Sequence, residues 1–101
     1  MIAINKTPLF TPGRIVATPD CLTELERAGQ NIWEFLARHL AGDWGELDAE
    51  DKAANDEAVK DGSRILSAYI LKTGEKIWII TEAEDDNGER EATTGLLPSN
   101  Y

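Results

Sequence analysis

His39 is the only histidine in the chain and Cys21 the only cysteine, so any chemistry that needs an imidazole rests on one position. One copy of the chain can form neither an internal disulfide nor a four-ligand Cys/His zinc site. His39 is followed closely by Asp43 and Trp44. An imidazole that titrates near neutral pH, a carboxylate and an indole within six residues could form a small pocket with a general base. Each has a plainer reading. A histidine near a helix C-terminus complements the helix dipole, and an aspartate in a turn bonds its own backbone. A tryptophan between Gly42 and Gly45 can plug the end of a core while the glycines turn the chain. Trp44 could also be an exposed anchor for a partner, since aromatics dominate binding hot spots.

No other constellation specifies a reaction. Ser63, Ser67, Thr93 and Thr94 read as ordinary residues of strands or their edges, and no nucleophile elbow or Gly-rich phosphate loop is present. The run EAEDD could hold calcium or magnesium, but its spacing fits no known loop and a solvated hairpin tip is the better reading. No catalytic residue, cofactor or metal ligand is therefore assigned, and the weighing favours a binding protein over an enzyme.

What stands out is the charge. Nineteen acids against ten bases give -9, and the excess is concentrated in two segments. Residues 41–62 hold eight acids and two bases, and residues 82–91 hold six acids and one base, so the rest of the chain is slightly basic. Asp48 with Lys52 and Asp56 with Lys60 lie four apart and would pair on a helix, which would make part of this charge a solubilising surface. The alternative is a broad negative face of Glu46, Asp48, Glu50, Asp51, Asp56, Glu57 and Asp61. With the second acidic segment it could imitate the charge of a DNA strand toward a DNA-binding protein. Such segments repel phosphate backbones, so direct nucleic-acid binding is not expected.

These side chains must be carried by elements that the pattern also predicts. GRIVATP reads as a short strand with Ile15 and Ala17 on one side and Val16 on the other, ended by Pro19. Thr18 then caps a helix with Leu22, Leu25 and Ala28 on one face, ended by Gly29. Asn31 with Glu34 resembles a capping box for a second helix carrying Ile32, Phe35, Leu36 and Leu40, closed by Gly42. Asp48 caps a third, which stops at Gly62 and has only Ala53, Ala54, Ala58 and Val59 to lay against a core. RILSAYIL and KIWIITEAE alternate like strands and are joined by KTGE, whose Gly74 suits a hairpin turn, and REATTGLLP follows as a third strand ended by Pro98.

The expected fold is one α+β domain over residues 1–101, with residues 1–12 loosely ordered. It has a short N-terminal strand, three helices packed on one face of the sheet, then a three-stranded antiparallel meander. No apolar run approaches the roughly 20 residues of a membrane span, and the opening residues lack a signal peptide's apolar region, so a cytoplasmic protein is expected.

Several blocks together, LFTPGRIVATP, AGQ with EFLARH, GDWGELDAEDKAAND, GSRILSAY, KIWIITEAE and TTGLLPSNY, resemble a group of small proteins carried by bacterial plasmids and other mobile elements. Some of that group bear the label of a restriction-modification subunit, although 101 residues are too few for a methyltransferase or specificity subunit. The chain departs from the group in the longer acidic insert EDDNGERE. The resemblance implies an inhibitor of host defence, a toxin-neutralising partner or an accessory factor, each of which acts by binding a protein, here one with a basic surface. The competing expectations are a small enzyme or ligand-binding domain with a pocket at His39, Asp43 and Trp44, and a structural oligomer built through an exposed edge of the meander.

Overall fold

The structure, a computed structural model, describes residues 7–101. In chain order the elements are β1 (Arg14–Ala17), α1 (Pro19–Ala28), α2 (Ile32–Leu40), α3 (Ala49–Asp61), β2 (Ile65–Ile70), β3 (Lys76–Thr81) and β4 (Ala92–Leu96), followed by a 3-10 turn at Pro98–Asn100. Each helix begins where a polar side chain satisfies a free amide. Thr18 Oγ1 accepts from the Cys21 amide at 3.1 Å, Asn31 Oδ1 from Trp33 at 2.9 Å and Asp48 Oδ1 from Asp51 at 2.8 Å. The expected capping box at Asn31 does not close. Glu34 instead accepts from Gln30 Nε2, because the Gln30 side chain is fixed beside it by the Lys72 amide.

The sheet corrects the expected arrangement. The antiparallel meander of β2, β3 and β4 is present, but the N-terminal strand joins it, which makes a four-stranded mixed sheet in the order β1-β4-β3-β2. β2 and β3, and β3 and β4, pair antiparallel, while β1 lies parallel to β4 with Ile15 beside Thr93 and Ala17 beside Gly95. The physical reason is backbone satisfaction. A meander leaves one row of N-H and C=O groups open on its last strand, and β1, which precedes the three helices, pairs with that row.

Register sorts the side chains into two faces. Ile15, Thr93, Thr81 and Ile65 form one row across the sheet, with Ile79, Ser67, Ile77 and Tyr69 on the same face. The core grows from this face: Cys21 and Leu25 of α1 and Phe35 and Leu36 of α2 pack with Tyr69, Ile77 and Ile79. Phe10, Trp44, Ala58 and Ile65 form a second cluster beside it. On the opposite face Trp78 meets the Tyr101 ring edge-on at 5.7 Å, and Arg64 Nη1 donates to the Tyr101 hydroxyl at 2.9 Å.

Two further expectations change. Of the segment expected to be loose, residues 1–6 lie outside the described residues, but residues 9–12 are pinned. The Leu9 amide donates to Leu40 O at 2.9 Å, Phe10 is buried, and Pro12 O accepts from Thr93 Oγ1 at 2.7 Å. The meander edges are not open either. β1 covers β4, and on β2 Asn55 donates to Leu66 O at 2.7 Å and accepts from its amide at 3.3 Å, acting as a substitute strand residue. One step along, Ala68 exchanges backbone bonds with Trp44 O at 3.2 Å and the Glu46 amide at 2.7 Å. Edge pairing through the meander thus loses most of its free groups.

Candidate functional site

The register that sets Thr81 opposite Thr93 builds a polar line through the core, and α2 lowers His39 onto it. His39 is 0% exposed, with Nδ1 at 2.6 Å from Ser67 Oγ and Nε2 at 2.8 Å from Thr81 Oγ1. Thr81 Oγ1 is 2.7 Å from Thr93 Oγ1, which is 2.7 Å from Pro12 O. A carbonyl only accepts, so the chain has one direction. Thr93 spends its proton on Pro12 O, Thr81 must donate to Thr93, and His39 Nε2-H must donate to Thr81, leaving Nδ1 to accept from Ser67. That direction places a proton on Nε2, and burial in the core keeps a second one off Nδ1, so the imidazole is neutral in the Nε2-H tautomer. Burial, with a smaller contribution from the Arg90 charge, pushes its pKa down to about 3. His39 is neither a cation on a helix dipole nor a base facing solvent; it is a satisfied core residue.

Trp44 is likewise inside. It is 3% exposed, its ring lies against Phe10 and His39 at centroid distances of 6.3 and 5.9 Å, and Nε1 donates to Asp56 Oδ1 at 2.9 Å. The reading of Trp44 as an exposed anchor is thereby corrected. The flanking glycine matters because Gly45 has φ 75° and approaches the Ala68 carbonyl and the Tyr69 ring so closely that a Cβ there would collide. Asp43 stays at the surface, where Oδ2 accepts from Arg38 Nε at 2.7 Å and Oδ1 from the Gly45 amide at 3.2 Å. The Arg38 hydrogen bond holds the Asp43 carboxyl below the usual carboxylate range. His39, Asp43 and Trp44 do not line a common cleft, since His39 is fully buried against Phe10, Trp44, Ser67 and Thr81 while Asp43 is exposed.

The acidic residues sit outside. Glu46, Asp48, Glu50, Asp51, Asp56, Glu57 and Asp61 are all exposed, and so are Glu82, Glu84, Asp85, Asp86, Glu89 and Glu91. The ion pairs closing within 4.0 Å among the described residues are Arg27 with Glu24 and Arg38 with Asp43, so the expected pairs of Asp48 with Lys52 and Asp56 with Lys60 do not form. Three of the α3 set are partly engaged: Asp48 caps the helix, Asp56 holds Trp44, and Asp61 Oδ1 accepts from the Ser63 amide at 2.8 Å. Of the four residues expected against the core, Ala58 is buried and Val59 is half-buried, whereas Ala53 and Ala54 are exposed; α3 also buries Asn55, which was not expected there.

The tertiary structure brings the two acidic segments together. The Glu84 amide donates to Gly62 O, just past α3, at 2.8 Å, and Glu84 bridges antiparallel to Arg90 to form a hairpin. Arg90, only 4% exposed, donates from Nη1 to Ser63 O at 2.8 Å and Glu82 O at 2.9 Å, and from Nη2 to Ala58 O at 3.1 Å. One buried guanidinium thus ties the C-terminal turn of α3 to both strands of the acidic hairpin. At the tip, Asp85 Oδ1 accepts from the Asn87 and Glu89 amides at 2.8 and 3.0 Å, so this carboxylate is occupied in shaping the turn.

Sequence reasoning missed Arg90, Asn55 and Thr81 and undervalued Ser67 and Thr93. Arg90 left a signal, because it is the lone base among six acids in residues 82–91. Asn55 left a weaker one, a polar side chain at the helical spacing of Ala58 and Val59. Among the described residues no group of three or more His, Cys, Asp or Glu is placed to hold a metal, and no helix is long and apolar enough to cross a membrane. In comparisons with protein-family models, with curated proteins and with solved structures, nothing matches this chain.

Proposed function

We propose that this chain is a small acidic interaction protein of a plasmid or other mobile element, an inhibitor of host defence that offers a DNA-like negative surface to the basic nucleic-acid channel of its target. The observation that carries the proposal is the junction at Gly62 and Arg90, which sets two segments of net -6 and -5 side by side. A helix of 13 residues is roughly 20 Å long. A DNA strand carries a phosphate about every 3.4 Å of axis, or about six over that length. α3 carries five carboxylates and two lysines, and the hairpin adds six carboxylates over a buried arginine. Even with the two lysines counted, the segment keeps its net negative charge, and its carboxylates face solvent. The mobile-element setting rests on the resemblance of blocks such as GDWGELDAEDKAAND.

The test is retention of a nucleic-acid-handling protein from bacterial lysate by the wild type and by a variant with Glu50, Asp51 and Glu57 changed to lysine. Asp56 stays in place because its carboxylate serves Trp44. The expected result is a basic partner retained only by the wild type, released by high salt and displaced by duplex DNA. Equal retention by the charge-reversed variant would remove the reading.

A further inference from the structure

Beside Asn55 the acidic surface is interrupted by a small apolar pocket. Its cavity of about 210 Å³ is lined by Leu47, Asp51, Ala54, Asn55 and Leu66, where the first half of α3 lies along the edge of β2. We infer that this pocket receives one arginine side chain of a partner protein, its stem lying on Leu47, Ala54 and Leu66 and its guanidinium meeting the Asp51 carboxylate. The inference rests on the reading of the acidic face as the surface a basic partner meets, and it names the side chain by which that partner is held.

The pocket is built before anything enters it. Asn55, 6% exposed, donates to Leu66 O at 2.7 Å and accepts from the Leu66 amide at 3.3 Å, which fixes α3 against β2. Asp48 holds the first turn of α3 through the Asp51 amide at 2.8 Å. The Glu46 amide donates to Ala68 O at 2.7 Å and so sets the segment that carries Leu47. Leu47 and Leu66 are half-buried, and each still offers apolar surface. A preformed site spares the ordering cost that weakens small interfaces.

Size and charge select the occupant. Small-molecule and cofactor sites run to roughly 300–1,000 Å³, so this cavity matches a single side chain better. Four of its five lining residues belong to residues 41–62, the segment of net -6. Asp51 is the charged residue of the lining; it is exposed, and among the described residues no ion pair within 4.0 Å includes it. The nearby bases are turned elsewhere. Around the helix Lys52 projects about 100° and Lys60 about 180° away from Asp51. Arg64, two residues before Leu66, donates to the Tyr101 hydroxyl at 2.9 Å and lies over its ring. An apolar anchor alone would cover the Asp51 carboxylate without giving it a partner, and a phosphate or an acidic side chain would be repelled. Arginine satisfies both halves of the pocket, with methylenes for the leucines and a planar fork for the carboxylate.

The experiment titrates the isotope-labelled full chain with a capped glycine–serine peptide carrying two arginines, and with the same peptide carrying citrulline, which keeps the shape and lacks the charge. The expected result is a saturable shift of the Leu47, Asp51, Ala54 and Leu66 amides with the arginine peptide only. Ala54→Leu fills the pocket without altering charge and should weaken binding about tenfold, through loss of the contacts of the stem. Asp51→Asn should weaken it comparably. Asp86→Asn combined with Glu89→Gln, on the hairpin, should change it less than about twofold. All four positions are exposed, so the variants should keep the wild-type spectrum away from each substitution. Equal binding of the citrulline peptide, or an affinity unchanged by Ala54→Leu, overturns the inference. Shifts that spread over α3 and the hairpin and fall alike for Asp51→Asn and the hairpin variant overturn the pocket while leaving the acidic surface as a binder of basic chains. No saturable shift with the arginine peptide overturns the pocket and counts against the acidic surface as well. Self-association that Ala54→Leu abolishes would assign the pocket to a second copy and overturn the inference too.

Discussion

His39 Nε2 lies 2.8 Å from Thr81 Oγ1, and because Thr81 must hand its own proton to Thr93, this contact fixes the tautomer of the only histidine in the protein. The bond joins α2 to the middle of the sheet. Its worth depends on the whole chain of hydroxyls ending at Pro12 O.

The first consequence is a pH dependence of stability. An unfolded histidine gains a proton as pH falls through 6.5, whereas folded His39 resists until about 3. Between those values the unfolded state binds the extra proton. This contribution is therefore fully present above pH 6.5 and is lost progressively on acidification, by about 1.4 kcal/mol per pH unit. Denaturant unfolding from pH 7.5 downward should show this slope, and His39→Gln should flatten it by close to one proton. Imidazole nitrogen resonances that titrate near 6.5 in the folded protein would contradict the assignment.

Thr81→Val keeps the shape of the side chain but removes the acceptor for His39 Nε2-H and the donor to Thr93. A buried donor without a partner is destabilising by about 1 to 3 kcal/mol. The same loss should not follow from Thr94→Val, because Thr94 lies on the opposite face of the sheet. Midpoints of urea unfolding for the two variants provide the comparison, and equal midpoints would sink the directional chain.

Arg90→Gln should detach the acidic hairpin from α3. Three backbone carbonyls lose a charged donor, a loss of about 2 to 4 kcal/mol. The Glu84 amide, bonded to Gly62 O, should then exchange with solvent faster while amides of β3 retain most of their protection. Unchanged exchange at Glu84 would show that the hairpin is held by something other than this guanidinium.

Asn55→Ala uncovers Leu66 on the edge of β2. The two lost bonds destabilise by about 1 to 2 kcal/mol. The variant should also associate in a concentration-dependent way that the wild type does not, since an open edge invites another strand. Sedimentation over a range of concentrations reads both forms, and a variant as monodisperse as the wild type would mean that the Trp44–Glu46 segment alone protects the edge.

Much of this fold was legible because it depends on local chemistry. Thr18, Asn31 and Asp48 cap helices wherever the chain goes, Gly29 and Gly62 end them with positive φ, and alternation in RILSAYIL and KIWIIT marks strands that turn at Gly74. The site was less legible. Trp44 between its glycines reads as a plug in preference to an anchor, and the Phe10 and His39 rings and the Asp56 carboxylate at its indole bear the plug out. Trp33 attracted no notice in the sequence, because its exposure is set by tertiary packing.

The sequence by itself determined the element order, the helix ends, the α+β class and the concentration of acids in two segments, since composition, capping and periodicity act within a few residues. The tertiary structure decided the rest. Parallel pairing of β1 with β4, the line of hydroxyls under His39, the sealing of the β2 edge by Asn55 and the meeting of the acidic segments at Arg90 each join residues far apart in the chain. Hydrogen-bond partners at such separation are selected by sheet register and by the need to satisfy buried polar groups, and neither leaves a local pattern in the sequence.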